Sequence, residues 1–243
     1  MLQATKGIVI HHFKYGEKSV IAKVYTEKFG LQSYILNGVR NQKSKNKAAY
    51  LQPLSLVEIS AFYKESKGLN NIKNISLDIP FTSIPFNINK SSIAFFLAEI
   101  LYKSIKEEEA NNKLFSFLYN AIQVLDLKEK DYNSFHLLFL AQLTKYLGFF
   151  PQAISVEDNT QFYFDLQEGF LVKLQPHHNA FLEPQNSLLF YSLFGINFDA
   201  MESLILDTKK RKMLLNAFLD YYNLHLSNFE NLKTLDVLAE VLN

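Results

Sequence analysis

Four basic side chains, Arg40, Lys43, Lys45 and Lys47, fall within residues 40–47, and no acid interrupts them. Guanidinium and ammonium groups at this density neutralise a run of phosphates, so the chemistry on offer is polyanion binding rather than bond breaking. The overall formal charge of +1 conceals the feature. Residues 1–80 carry 12 Lys/Arg against 5 Asp/Glu, a net +7, and residues 81–243 carry 13 against 19, a net −6. Sign asymmetry of this kind points to a nucleic acid or a membrane surface as partner of the basic part. A charge run that merely solvates a loop is the competing reading. Lys14, Lys18, Lys23, Lys64 and Lys67 extend the candidate phosphate surface. Tyr15, in a turn, and Tyr50, just past the basic loop, are the aromatics expected to face bases, each stack being worth roughly 1–3 kcal/mol. Most of the other rings of the module are expected to pack inside it.

Covalent chemistry finds no constellation. The phosphate-cradling G-x-x-x-x-G-K-[ST] and G-x-G-x-x-G patterns are absent, as are H-E-x-x-H and G-x-S-x-G. His11-His12 and His177-His178 are adjacent pairs. Neighbours in a strand point to opposite faces, which suits neither pair to chelating one metal. His136 and His225 lie in apolar helical segments and read as packed residues. Glu107-Glu108-Glu109 reads as a solvated stretch after a helix, and Asp165 has no evident partner carboxylate. The expectation is a binding protein, not an enzyme, with no metal or other cofactor.

The basic residues must be positioned by the elements around them. Gly7–Ile10, Ser19–Thr26, Leu31–Leu36, Leu54–Tyr63 and Leu69–Ile75 read as five strands, with turns at 15–18, 27–30 and 64–68. Five strands in about 75 residues match the size of an OB-fold barrel. Pro80, Pro85 and the polar stretch 87–90 then mark a change of period. Ile93, Phe96, Leu97, Ile100 and Leu101 share one helical face, and Leu114, Phe117, Leu118, Ala121, Ile122 and Leu125 share another. Residues 135–147 are apolar on more than one face, the mark of a central helix, and Gly148 and Pro151 end it. Phe162–Leu166 and Phe170–Lys173 flank Gln167-Glu168-Gly169 as a hairpin. Helical spacing resumes near Asn186, over Lys209–Leu226 and over Leu235–Leu242. The fold class is therefore α+β: an N-terminal five-stranded OB-fold barrel over residues 1–80, then an α-helical domain over 81–243 with an inserted β-hairpin at about 160–175.

Composition bounds the rest. Hydrophobic residues make up 48% and charged residues 20%, as in an ordinary globular protein. No stretch is long and apolar enough to span a membrane, and residues 1–6 do not begin a secretory signal. Cysteine is absent, which excludes disulfides, thiol catalysis and cysteine-ligated zinc. A reducing cytoplasm is the simplest home for such a chain.

Several short motifs in order resemble a known family. They are Gly7-Ile8-Val9-Ile10, Tyr15-Gly16-Glu17-Lys18-Ser19, Val24-Tyr25-Thr26-Glu27-Lys28-Phe29-Gly30, Asn37-Gly38-Val39-Arg40, Lys43-Ser44 and Leu51-Gln52-Pro53-Leu54. Later come Leu147-Gly148-Phe149-Phe150-Pro151, Tyr163-Phe164-Asp165-Leu166-Gln167-Glu168-Gly169, Tyr221–Leu226 and Leu232–Leu235. Together they resemble RecO, the bacterial recombination mediator, over nearly the whole chain. The resemblance implies a role in RecFOR-type repair. Such a protein binds single- and double-stranded DNA, anneals complementary strands and, with RecR, helps RecA replace single-stranded DNA-binding protein. It also implies contact with the acidic, apolar C-terminal tail of that protein. Lys209, Lys210, Arg211 and Lys212, with Lys145 and Lys103, are the cations that could rim such a groove. Many members carry a four-cysteine zinc module around the hairpin; this chain has none, so zinc is not expected and aromatic packing is expected to close that region. The alternatives are a generic OB-fold RNA-binding factor and a helical adaptor.

Overall fold

The computed structural model describes residues 1–38, 49–63, 68–153 and 161–242. It divides into two compact units, Met1–Leu127 and Lys128–Asn243.

The first unit is built on a closed barrel. Strands β1 (Leu2–Tyr15), β2 (Ser19–Thr26), β3 (Gly30–Leu36), β4 (Leu56–Phe62) and β5 (Asn70–Ile79) close in the order β1-β2-β3-β5-β4. All neighbours are antiparallel except β3 and β5, which run parallel at Tyr34–Asn70 and Ile35–Asn71. This is the closed five-stranded barrel of an OB-fold. The first strand is much longer than its apolar core, Gly7–Ile10, indicates. It pairs with β4 through residues 2–8 and with β2 through residues 7–15, shifting register between Val9 and His11. A bulge there bends the strand so that one segment serves two neighbours. Period-2 patterning cannot continue across such a break, which is why the sequence marks only the middle of the strand. β5 likewise runs past Ile75 to Ile79. Inside the barrel Val9, Val24, Tyr34, Val57 and Ile59 are buried against one another.

Two helices complete the first unit. The side chain of Asn87 accepts from the amides of Asn89 and Lys90 and starts α1 (Ile88–Ser104). Asn111 does the same for Leu114 in α2 (Asn112–Leu127). The carboxylate of Asp126, at the end of α2, accepts the backbone amides of Thr82, Ser83 and Ile84 at 2.7, 2.9 and 2.8 Å. The buried ammonium of Lys90 donates to the Asp126 carbonyl at 2.8 Å. The segment leaving the barrel is thereby fastened to both helices. Burial pushes the Asp126 pKa up, but these amide hydrogen bonds outweigh it and hold the carboxyl below its ordinary range.

The second unit centres on α3 (Phe135–Leu147), whose residues 135–141 are all buried, as its many-sided apolar pattern predicts. Gly148, at φ 88°, ends it. Strands β6 (Tyr163–Asp165) and β7 (Phe170–Val172) form the expected hairpin, and β8 (Phe181–Leu182) adds a third strand on the other side of β6. Two residues are too few to show a period, so β8 is invisible in the sequence. The unit is completed by α4 (Pro184–Ser192), α5 (Thr208–His225) and α6 (Leu235–Leu242). Phe164 of the hairpin packs against Phe190, Phe194 and Tyr221 with ring centroids 4.9–6.3 Å apart. The Tyr222 hydroxyl donates to the Leu140 carbonyl at 2.8 Å, tying α5 to α3.

Candidate nucleic-acid interface

The candidate surface is carried by the β1–β2 hairpin. Its turn passes through Gly16 (φ 60°), and strand pairing on both sides fixes its position. Lys14, Tyr15 and Lys18 are exposed at its tip, and Lys23 is half-buried on β2 opposite His11. Lys14, Lys18 and Lys23 make no ion pair among the described residues, so their charge is available to a ligand. Other cations of the module have structural duties. Lys6 pairs with Asp78 at 2.9 Å, and Tyr119 donates to the same carboxylate. The Asp78 hydrogen bond raises the Lys6 pKa further against a smaller opposing effect of burial. Lys28 donates to the Ala4 carbonyl at 2.7 Å. Arg40, Lys43, Lys45, Lys47, Lys64 and Lys67 lie outside the described residues.

The aromatics divide in a way the sequence does not signal. Tyr25 and Tyr34 are buried, and Phe29 stacks on Tyr63 at 4.1 Å. Tyr50, expected to face bases, is half-buried and packs against the barrel core. Tyr15 is 51% exposed. Two further rings, neither of them expected to face bases, stand beside it on β1: Phe13, 42% exposed, and His11. His11 lies 6.4 Å from Phe13 and 4.8 Å from Tyr102 of α1, measured between ring centroids. Alternation His-x-Phe-x-Tyr in one strand was the available signal, since alternate residues share a face.

The histidine pair 11–12 diverges as expected. His11 aligns with Lys23 on the outer face, and His12 with buried Ala22. His177 and His178 are not in a strand. His178 Nε2 lies 3.1 Å from Asp165 Oδ2, and His225 stacks on Phe149 at 5.1 Å. His136 is buried; burial first, then the charge of Arg211, push its pKa down to about 3 against a backbone hydrogen bond at Asn133. Among the described residues no three His, Cys, Asp or Glu side chains are placed to hold a metal ion. With no cysteine in the chain, the hairpin's donors do not fit a zinc module. The aromatic cluster around Phe164 occupies the hairpin's inner side instead.

In the second unit Lys209, Lys210 and Lys212 are exposed on the first turn of α5, and Lys145 is exposed near the end of α3. Asp207 accepts the Lys210 amide at 2.7 Å, which offsets the cost of cations at a helix N-terminus. Arg211 points elsewhere. It donates to the Leu206 carbonyl, the Thr208 hydroxyl and the Leu242 carbonyl at 2.7, 3.0 and 3.4 Å. It therefore clamps the end of α6, beside a cavity of about 40 Å³ lined by His136, Leu215 and Leu238. Lys103 is half-buried in the last turn of α1, in the first unit.

Family models described as Recombination protein O N terminal and Recombination protein O C terminal match residues 1–80 and 85–236. The chain belongs to the RecO family. Its relatives include proteins named DNA repair protein RecO from Phocaeicola vulgatus, 36% identical over 241 residues and 99% of each chain, and from Bacteroides fragilis, 37% identical over 242 residues and 99% of each chain. That of Flavobacterium psychrophilum is 39% identical over 238 residues and 98% of each chain. RecO membership makes this a DNA repair and recombination protein, with DNA and the recombination machinery as its implied partners. Among the described residues no helix is long and apolar enough to cross a membrane.

Proposed function

We propose that the protein is a recombination mediator of the RecFOR type, acting by binding and not by covalent catalysis. It binds single- and double-stranded DNA through the basic barrel, anneals complementary strands, and works with RecR to help RecA replace single-stranded DNA-binding protein. The proposed setting is the bacterial cytoplasm, at the nucleoid. The observation that carries this reading is the net +7 of residues 1–80 on an OB barrel whose exposed hairpin holds Lys14, Lys18 and Lys23 out of ion pairs among the described residues. Arg40, Lys43, Lys45, Lys47, Lys64 and Lys67 are assigned to the same phosphate surface. A cationic surface that does not read bases lowers the repulsion between two DNA strands, and base pairing then supplies the specificity of annealing.

Salt titration tests the reading. Neutralising four to six phosphates of a single strand gives log K against log salt a slope of about −3 to −4. Replacing Arg40, Lys43, Lys45 and Lys47 by alanine should weaken binding and make that slope shallower by up to about 3. Unchanged affinity and slope in the quadruple variant remove the loop from the site.

For the tail of single-stranded DNA-binding protein, the cations assigned are Lys209, Lys210 and Lys212, with Lys145 of the same unit. The support is that the three lysines are exposed on one helical turn within an otherwise acidic part of the chain. Titration with a tail peptide should lose affinity in the Lys209, Lys210 and Lys212 alanine variant. No loss would assign the tail to another surface.

A further inference from the structure

His11, Phe13 and Tyr15 alternate along the end of β1 and so leave the same face of the strand. In the pairing with β2 they stand opposite Lys23, Ile21 and Ser19. That face is the outside of the barrel, because the intervening partners Ala22 and Val20 are buried within it. Three rings are thus displayed in a row, and Tyr102 of α1 closes its inner end against His11. Leaving apolar rings in water forgoes roughly 25 cal/mol per Å² of burial, so a contiguous row calls for a covering partner.

The charge around the row indicates which partner. Lys23 shares its face and Lys18 is exposed at its outer end, neither of them in an ion pair among the described residues, while Lys14, paired with Val20, leaves the opposite face of the strand. Glu17 is the one acid in residues 11–23. Flat rings flanked by cations that are unpaired among the described residues suit a ligand that alternates π-faces with negative charge. The spacing indicates its form. His11 and Phe13 are 6.4 Å apart, about twice the ~3.4 Å rise per base of a stacked strand. Such a row accepts a strand whose bases are drawn apart, and a duplex hides the faces that stacking needs.

We propose that His11, Phe13 and Tyr15 are a base-stacking row for single-stranded DNA, with Lys18 and Lys23 holding the adjoining phosphates. This rests on the DNA-binding reading above and goes beyond it by assigning the contact residues and the strand form they select. Affinity then has two separable parts: a salt-dependent one from the cations, which duplex shares, and a salt-independent one from the rings, which only unpaired bases use.

The chain has no tryptophan, so Phe13→Trp places a single indole in the row. Oligothymidylate should quench its emission, saturating together with the anisotropy of a labelled oligonucleotide. Phe13→Leu and Tyr15→Leu should each weaken single-strand binding about five-fold or more, with the salt slope and the duplex affinity unchanged. Both rings are about half exposed, and unchanged thermal unfolding of the variants would verify that the barrel is intact. An unquenched indole, unaltered affinity in both leucine variants, or an equal loss on duplex would overturn the row while leaving the cationic surface standing. A wild-type chain that binds no single-stranded DNA at any salt would overturn both.

Discussion

Asp165 Oδ2 lies 3.1 Å from His178 Nε2, while Asp165 Oδ1 accepts the amides of Gln167 and Glu168 at 2.9 and 3.1 Å. One carboxylate therefore shapes the β6–β7 turn and ties it to the segment leading into β8. Under the same turn Gly169, at φ 73°, passes so close to the Tyr221 hydroxyl that a Cβ would stand 2.7 Å from it. A hydrogen-bonded side chain and an aromatic cluster thus hold this hairpin. Treatment with a strong chelator should leave the thermal unfolding midpoint of the protein unchanged. Asp165→Ala should lower stability by about 2–3 kcal/mol, through the loss of hydrogen bonds to a buried charged group. Calorimetry of both samples checks the pair; a midpoint that falls on chelation would mean a metal helps to hold the fold.

Gly30 begins β3 at φ 61°, and a Cβ there would overlap the backbone carbonyl of Glu109. The approach is close because Leu31 donates its amide to the Glu107 carbonyl at 3.0 Å and the Gln32 side chain donates to Glu108. The acidic segment after α1 is therefore docked by its backbone, with its charged side chains left to solvent. Gly30→Ala should cost about 2–5 kcal/mol, combining ~1–2 for the left-handed conformation and ~1–3 for overlap. Chemical denaturation measures it. Neutralising Glu107, Glu108 and Glu109 by substitution with glutamine should change stability little.

The Asp126 carboxylate accepts three amides and the Thr82 hydroxyl, so an amide in its place would turn a donor toward donors. Asp126→Asn should destabilise the protein by about 3 kcal/mol near neutral pH. The folded pKa is lowered, so this stabilisation is complete above the ordinary carboxylate pKa of about 4 and is lost as pH falls through the folded value. The gap between wild type and variant should narrow below about pH 4. A constant gap down to the acid transition would contradict the assignment.

His136 works over a different pH window. In the folded chain its pKa is pushed down to about 3, whereas unfolding returns it to about 6.5. Its neutral form is the folded one, so its contribution is present above pH 6.5 and declines as pH falls toward 3. The decline is about 1.4 kcal/mol per pH unit. Stability should therefore fall by about 2 kcal/mol less in His136→Gln than in wild type between pH 6.5 and 5. Denaturant titrations at several pH values check this.

Much of this protein is written in local patterns. Alternation over Ser19–Thr26, Leu31–Leu36 and Leu54–Tyr63 specifies strands because each has one face in the barrel and one outside. The all-round apolar character of Phe135–Leu147 specifies a buried helix, and the clustering of cations before residue 80 points to a polyanion partner. These are one-dimensional signals, since period and charge density need no knowledge of neighbours. What required the tertiary structure is which groups are left over once neighbours have been satisfied. Lys6 and Lys28 look like Lys14 and Lys18 in sequence, yet Asp78 and the Ala4 carbonyl engage the first two and leave the others available. Arg211 looks like Lys210, yet its planar fork reaches the Leu242 carbonyl 31 positions away. Tyr50 and Tyr15 look alike, but the barrel core takes Tyr50, while the bulge after Val9 sets the outward direction of His11, Phe13 and Tyr15. Availability is a property of contacts between segments distant in the chain, and those exist only after the barrel and the helices have closed.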